Sequence, residues 1–328
     1  MPEFQEVYDL IRENVPGLNA QELDHASATG LVLALAPRVM IVTNAASTSS
    51  AATNGPLLLK SNLFDGQIAY LRVGRVAEGL DKAVREAARD LGKTNKLKGV
   101  VLDLRYAGGD DYAAAAAVDD LFVRKEQPLL NWGAGEYHSK ASDDDIDLPA
   151  AALVNHQTRG AAEALAAALR QAGAGLILGN KTAGEAMVAR EFPLKNGDRL
   201  RVATARVMLG DGTALSPQGV GPDISVHVAP ADERAYYADA FKVISKGEVA
   251  VNAAKTGTNS VAGTNAPPRR PRFNEAELVR ERRDGAAYDP DAASDRDAEP
   301  EKPAVRDPVL ARALDLLKGL AVIRQAGS

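Results

Sequence analysis

Ala150 to Gly184 reads AAALVNHQTRGAAEALAAALRQAGAGLILGNKTAG, and its three pieces decide the fold. Ala150 to Val154 is a short apolar run bounded by turn residues, which reads as a strand. Gly160 to Gln171 follows with helical spacing of alanine and leucine, and Gly175 to Leu178 is a second short apolar strand. Strand, helix and strand at this spacing predict a parallel pair joined by a crossover. Working backward, Lys98 to Phe122 (KGVVLDLRYAGGDDYAAAAAVDDLF) repeats the plan. The continuous run Gly99 to Leu104 predicts a strand buried on both faces, and a helix is expected from Tyr112 to Val123. A strand over Gln67 to Val73 and a helix from Val76 to Leu91 come before it. Working forward, Val188 to Leu194, Arg199 to Leu209 and Asp223 to Val228 carry strand signals only, separated by turns at KNGD and GDG. They predict hairpin-like strands closing a mixed α/β sheet.

The ends of the chain differ from this core. Phe4 to Asn14 and Ala20 to Leu35 read as amphipathic helices, and Arg38 to Thr43 as a strand. Ala45 to Gly55 (AASTSSAATNG) is small, polar and of low complexity, as in a connector. A helix is expected from Asp232 to about Lys246. Val251 to Asp307 has few large apolar side chains and is expected to be disordered. Asp307-Pro308 then opens a last helix, Asp as N-cap and Pro in the first turn, whose Leu310, Leu314, Leu317 and Ile323 suggest docking on its own domain. The expected organisation is a helical segment 1–37, a core 38–250, a linker 251–306 and a terminal helix 307–325.

Composition narrows the chemistry. The 328 residues are 45% hydrophobic and 25% charged, which is ordinary for a globular protein. With no cysteine there is no thiolate nucleophile and no disulfide, and four scattered histidines make a metal site unexpected; no cofactor is implied. A net charge of −5 and 5% aromatic residues give neither a basic field nor a stacking platform for nucleic acid. No run approaches the roughly 18 apolar residues of a membrane helix. If Met1 is the native start, a cytoplasmic location is expected; removal of an export signal would instead mean a periplasmic or exported protein.

In order, Lys98–Phe122, Ala150–Gly184 and Leu200–Val226 (LRVATARVMLGDGTALSPQGVGPDISV) resemble one family, the tail-specific or carboxyl-terminal processing serine peptidases of the ClpP/crotonase-like superfamily. Phe4 to Pro37 resembles the family's helical entry region. The resemblance implies a ClpP/crotonase-like α/β core. It also implies a Gly-rich turn, here Gly108-Gly109, that helps form an oxyanion hole or holds a peptide through backbone N–H groups. Family members use a serine activated by a lysine, the serine lying in a Ser-x-Ser-x-Ser-Glu-like run. Aligned on Val154-Asn155 and Glu163, the serine position falls on Gly160. The lysine position falls on Glu185, and that of a lysine-orienting glutamine on Ala189. No serine occurs between Ser142 and Ser216, so a register shift recovers none. Thr158 is the remaining hydroxyl, either a fallback nucleophile or a helix cap. Residues 38–60 are too few for the PDZ domain many relatives carry.

The expected function is therefore a catalytically degenerate peptidase relative that binds an extended peptide or a partner protein. Gly108, Gly109, Gly160 and the strand around Val188 to Arg190 supply the groove. It would act alone, as a homo-oligomer, or as an inactive subunit beside an active paralogue. The alternatives are a peptidase using Thr158 as a non-standard nucleophile, and a scaffold acting through its tail, where PPRRPR (267–272) is a candidate docking motif.

Overall fold

The computed structural model describes residues 2–43, 55–142, 145–244 and 304–326. At its centre lies a six-stranded sheet. Its strands are β2 (Leu58–Phe64), β3 (Ile68–Val73), β4 (Gly99–Asp103), β7 (Ala150–Val154), β8 (Gly175–Gly179) and β12 (Ile224–Ser225). The spatial order is β12-β8-β7-β4-β3-β2, parallel throughout except for the β2–β3 hairpin. Every residue of β3, β4 and β7 is buried, because both faces of the sheet are covered.

One face meets α3 (Leu80–Gly92), α4 (Tyr112–Asp120) and α5 (Ala161–Gln171), with Val100, Leu102, Ala152 and Val154 pointing into that core. The alternate residues Val101, Ala151 and Leu153 point to the other face, which is sealed by the last helix, α7 (Pro308–Ala326). Its stripe of Val309, Leu310, Ala313, Leu314 and Leu317 is buried there. The terminal helix thus docks on its own domain, as its periodicity suggested. Asp307 caps it, its Oδ1 accepting from the N–H groups of Val309 (3.0 Å) and Leu310 (3.2 Å).

A second sheet stands apart from the first. In it β10 (Arg199–Arg206) lies between β1 (Val39–Val42) and β9 (Met187–Pro193), all antiparallel, so the KNGD hairpin is present. The third sheet, β11 (Met208–Leu209), β5 (Pro128–Asn131) and β6 (Glu136–His138), has two strands the sequence reading did not anticipate. The N-terminal helices α1 (Phe4–Asn14) and α2 (Ala20–Leu35) have the expected bounds, and Asn19 and Glu22 form a capping box at the start of α2. Of these two helices only Leu23 is buried.

Three expectations need correction. Helix α3 begins at Leu80 rather than Val76, because Gly79 adopts a left-handed conformation (φ 87°) and Val76 N–H is drawn to Gly108 O (2.8 Å). Asp223 to Val228 does not form a hairpin; only Ile224–Ser225 is strand, added parallel to β8. The helix expected to run to Lys246 is α6 (Pro230–Ala238). It stops because Asp239 is extended (φ −143°) and the next carbonyl, Ala240 O, accepts from Arg306 and Asp307 N–H (2.7 and 3.0 Å). The connector at 45–54 and most of the expected disordered linker, 251–303 with its PPRRPR motif, lie outside the described residues. No described helix is long and apolar enough to cross a membrane.

Candidate functional site

Sheet physics chooses the location. The carboxyl ends of β4 and β7 point to the same edge, where open α/β sheets hold their sites. The turn leaving β7 is tied to the end of β4: Asn155 Oδ1 accepts from Tyr106 N–H (3.2 Å), and Thr158 Oγ1 donates to Leu104 O (2.9 Å). Thr158 also accepts from Asn155 N–H (3.0 Å) and is wholly buried. Its hydroxyl is consumed in holding the turn and does not face solvent; the cap expectation is corrected, because Gly160 is the residue before the helix and Thr158 accepts from Asn155 N–H rather than from a helix N–H.

Gly160 occupies the last position before α5 with φ 61° and ψ −126°. This is the first central residue of a type II′ turn, a place normally held by glycine, and it resembles the sharp strand-to-helix turn on which nucleophilic serines are presented. No side chain fits here: a Cβ on Gly160 would begin inside the contact radius of the Gly109 carbonyl oxygen. The same oxygen accepts from Ala161 N–H at 2.7 Å. The Gly-rich turn was expected to offer N–H groups. Its Gly109 carbonyl is aimed at the helix start and engages the donor that follows the turn. Gly108 O is also engaged, by Val76 N–H, and Gly108 lies against the Arg159 side chain.

Glu163 organises what surrounds this turn. Its wholly buried carboxylate accepts from the N–H groups of Gly160 (3.0 Å), Gly184 (2.6 Å) and Glu185 (2.7 Å) and from the Thr182 hydroxyl. Burial pushes its carboxyl upward while these donors pull it back. Through one side chain the start of α5 is stapled to the segment holding Glu185. Glu185 itself is half-buried, and among the described residues no partner of its carboxylate is found; Lys181 is exposed.

Beside Gly160 opens a cleft of about 340 Å³ whose lining includes Asp110, Trp132, Met187, Ala189 and Arg201. Ala189 therefore faces the same cleft as Asp110, whose carboxylate lies near the Gly160 position. Of the acidic pair after the glycines, Asp111 caps α4 by accepting from Ala114 N–H (2.9 Å), whereas Asp110 pairs with Arg201 (2.6 Å). Trp132 and Arg201 were not singled out from sequence; they come from segments remote in the chain, just after β5 and within β10, and carry no local motif. β9 pairs only with β10, so its outer edge, bordering this cleft, has no strand beside it among the described residues.

A second polar cluster lies behind the site. Asp103 is buried and accepts from Tyr70 OH (2.6 Å) and from Arg105 Nε and Nη2 (2.9 and 2.7 Å). Arg105 Nη2 also reaches Asp307 (2.8 Å), so this guanidinium links the end of β4 to the cap of α7. Burial pushes Asp103 upward, but the Arg105 guanidinium and the Tyr70 hydroxyl hold its carboxyl below its ordinary value. No group of three or more possible metal ligands occurs among the described residues.

These features define the class: a mixed α/β peptidase fold whose strand-to-helix turn lies at the carboxyl edge of the sheet. Residues 67–226 match peptidase family S41, and this core is similar to that of tail-specific, carboxy-terminal processing proteases. It is 31% identical over 170 residues to the carboxy-terminal-processing protease of Bartonella bacilliformis, covering 49% of this chain and 39% of that protein. To carboxy-terminal processing protease CtpA of Bacillus subtilis it is 26% identical over 196 residues, covering 58% of this chain and 42% of that protein. The matching region thus spans about two-fifths of the length of these relatives. A crystal structure of a candidate peptidase from Parabacteroides merdae shares the fold, with a TM-score of 0.53 at 16% identity over 71% of this chain and 85% of that one.

Proposed function

We propose that the chain is a catalytically silent tail-specific peptidase relative that binds an extended peptide, or an extended segment of a partner protein, by strand addition to the outer edge of β9. The observation that carries the silent half is the Gly109 carbonyl, which fills the space where any Gly160 side chain would start and takes up Ala161 N–H. In the family alignment Gly160, Glu185 and Ala189 stand at the serine, lysine and glutamine positions, so neither an activated hydroxyl nor a base is supplied. Losing the nucleophile of such an apparatus costs several powers of ten in rate.

The binding half needs no chemistry. An open strand edge offers a row of main-chain donors and acceptors, and the adjoining cleft offers Trp132, Tyr112 and Met187 as apolar walls for alternate side chains. Two other readings find less support. The Thr158 hydroxyl is buried and bonded to Leu104 O. A role carried only by the tail leaves the β9 edge and its cleft unexplained, and the end of that tail, α7, is built into the core.

Hydrogen exchange with β-casein as an unfolded ligand tests this reading. We expect slowed exchange in residues 187–193 when β-casein is added, with β-casein recovered intact. Protection confined to other regions, or steady conversion of β-casein to fragments, would overturn the proposal.

A further inference from the structure

Trp132, the single tryptophan of the chain, lines the cleft beside Gly160. It follows β5 in a tight turn closed by Trp132 N–H donating to Gly135 O (3.0 Å). The indole packs directly on that turn because Gly135 has no side chain; a Cβ there would lie 2.7 Å from the ring. Among the described residues no other aromatic ring packs against this indole, and the guanidinium–ring contacts all fall on Tyr70 and Tyr237. The face of an indole is negative by its quadrupole, and of the aromatic side chains it holds a cation best.

The charges around the cleft favour the same kind of ligand. Its lining carries the carboxylates of Asp110, Asp111 and Glu191 against one guanidinium, Arg201. Arg201 is committed to Asp110 (2.6 Å), and Glu191 is met by Arg199 (2.8 Å). Asp111 makes no ion pair among the described residues and only caps α4. Three carboxylates against two guanidinium groups leave one negative charge over, next to an indole with no cation on it. Met187 and Ala189 add an apolar wall suited to an alkyl stem. We infer that the cleft receives the side-chain cation of a lysine or arginine, its charged head between Trp132 and Asp111 and its stem along Met187. That this cation belongs to an extended peptide rests on the strand-addition reading above, in which alternate side chains of the added strand turn toward the cleft. The cation pocket itself stands without that reading.

All indole fluorescence of the chain comes from this one ring, which makes the pocket directly measurable. n-Butylammonium and n-butanol, a cation and a neutral alcohol on the same stem, are titrated into the full chain at constant ionic strength. A saturable change in Trp132 emission is expected with n-butylammonium and none with n-butanol. Asp111→Asn/Glu191→Gln removes two negative charges while asparagine still caps α4, and should weaken n-butylammonium binding at least about fivefold. Equal responses to the two probes, or undiminished binding in the double variant, would overturn the pocket. Acetyl-Ala-Ala-Lys-Ala-Ala-amide and its norleucine counterpart then connect the pocket to the strand edge. The lysine peptide is expected to bind roughly tenfold more tightly than the norleucine peptide and to slow exchange in residues 187–193. Equal affinities, with both peptides protecting 187–193, would overturn the cation inference and leave the strand edge standing. An n-butylammonium response without any protection of 187–193 by the lysine peptide would overturn the strand-edge reading and leave the cation pocket standing.

Discussion

Arg105→Ala is expected to destabilise the protein by roughly 3–5 kcal/mol, the range seen when one partner of a buried ion pair is removed. Its guanidinium is 1% exposed and serves two carboxylates, Asp103 and Asp307, that are also buried. Without it Asp103 keeps only Arg72, at 3.9 Å, and Asp307 loses its ion pair in the interior. The loss also carries a pH signature. In the wild type, Asp103 is held below its ordinary value, so its contribution is present above about pH 4 and is lost as the pH falls through the native value. In the variant, burial is opposed only by the Tyr70 hydroxyl and by Arg72, so the Asp103 carboxyl moves upward. The stability that Asp103 contributes above about pH 4 is correspondingly reduced. The stability difference between wild type and variant, read from urea unfolding, should therefore be larger at pH 7 than at pH 4. Equal differences at the two values would show that Arg105 is not charge-compensating Asp103.

The second large effect is expected at Gly160. Gly160→Ser places a Cβ against the Gly109 carbonyl and asks a residue other than glycine to hold φ 61° with ψ −126°. Backbone strain and overpacking together should cost about 3 kcal/mol or more. A thermal midpoint lowered by about 6 °C or more would report it. For the same reason Gly160→Ser/Glu185→Lys/Ala189→Gln is expected to stay without peptidase activity, because the Gly109 oxygen still takes Ala161 N–H. A Gly160→Ser variant as stable as the wild type would mean that the glycine turn moves aside readily, and that the closed site is a resting state.

Much of the fold was legible because β4, up to Asp103, and β7 are short continuous apolar runs, which a sheet covered on both faces explains. The apolar stripe of α7 and its Asp-Pro start were equally local signals. Strands β5 and β6 were not legible: they are only four and three residues long, too short to show an alternation, on either side of the Trp132–Gly135 turn. The early end of α6 could not be foreseen, since it depends on Ala240 O meeting residues 306 and 307 from a remote segment. At the site, the sequence order of Gly108, Gly109 and Gly160 identified which turns meet, yet not which way a peptide unit faces. That orientation decides whether the helix start receives a substrate oxygen or one of the protein's own.

Silence of the site is the claim on which the rest depends, and active-site labelling measures it most directly. The full chain and an active carboxy-terminal processing protease are exposed side by side to a fluorophosphonate probe, and each is then mapped by mass spectrometry. The expected result is rapid labelling of the active relative and no adduct on any hydroxyl of this chain, under the conditions in which β-casein protects residues 187–193. A stoichiometric adduct on Thr158, or on any serine bordering the Gly109–Gly160 turn, would contradict it.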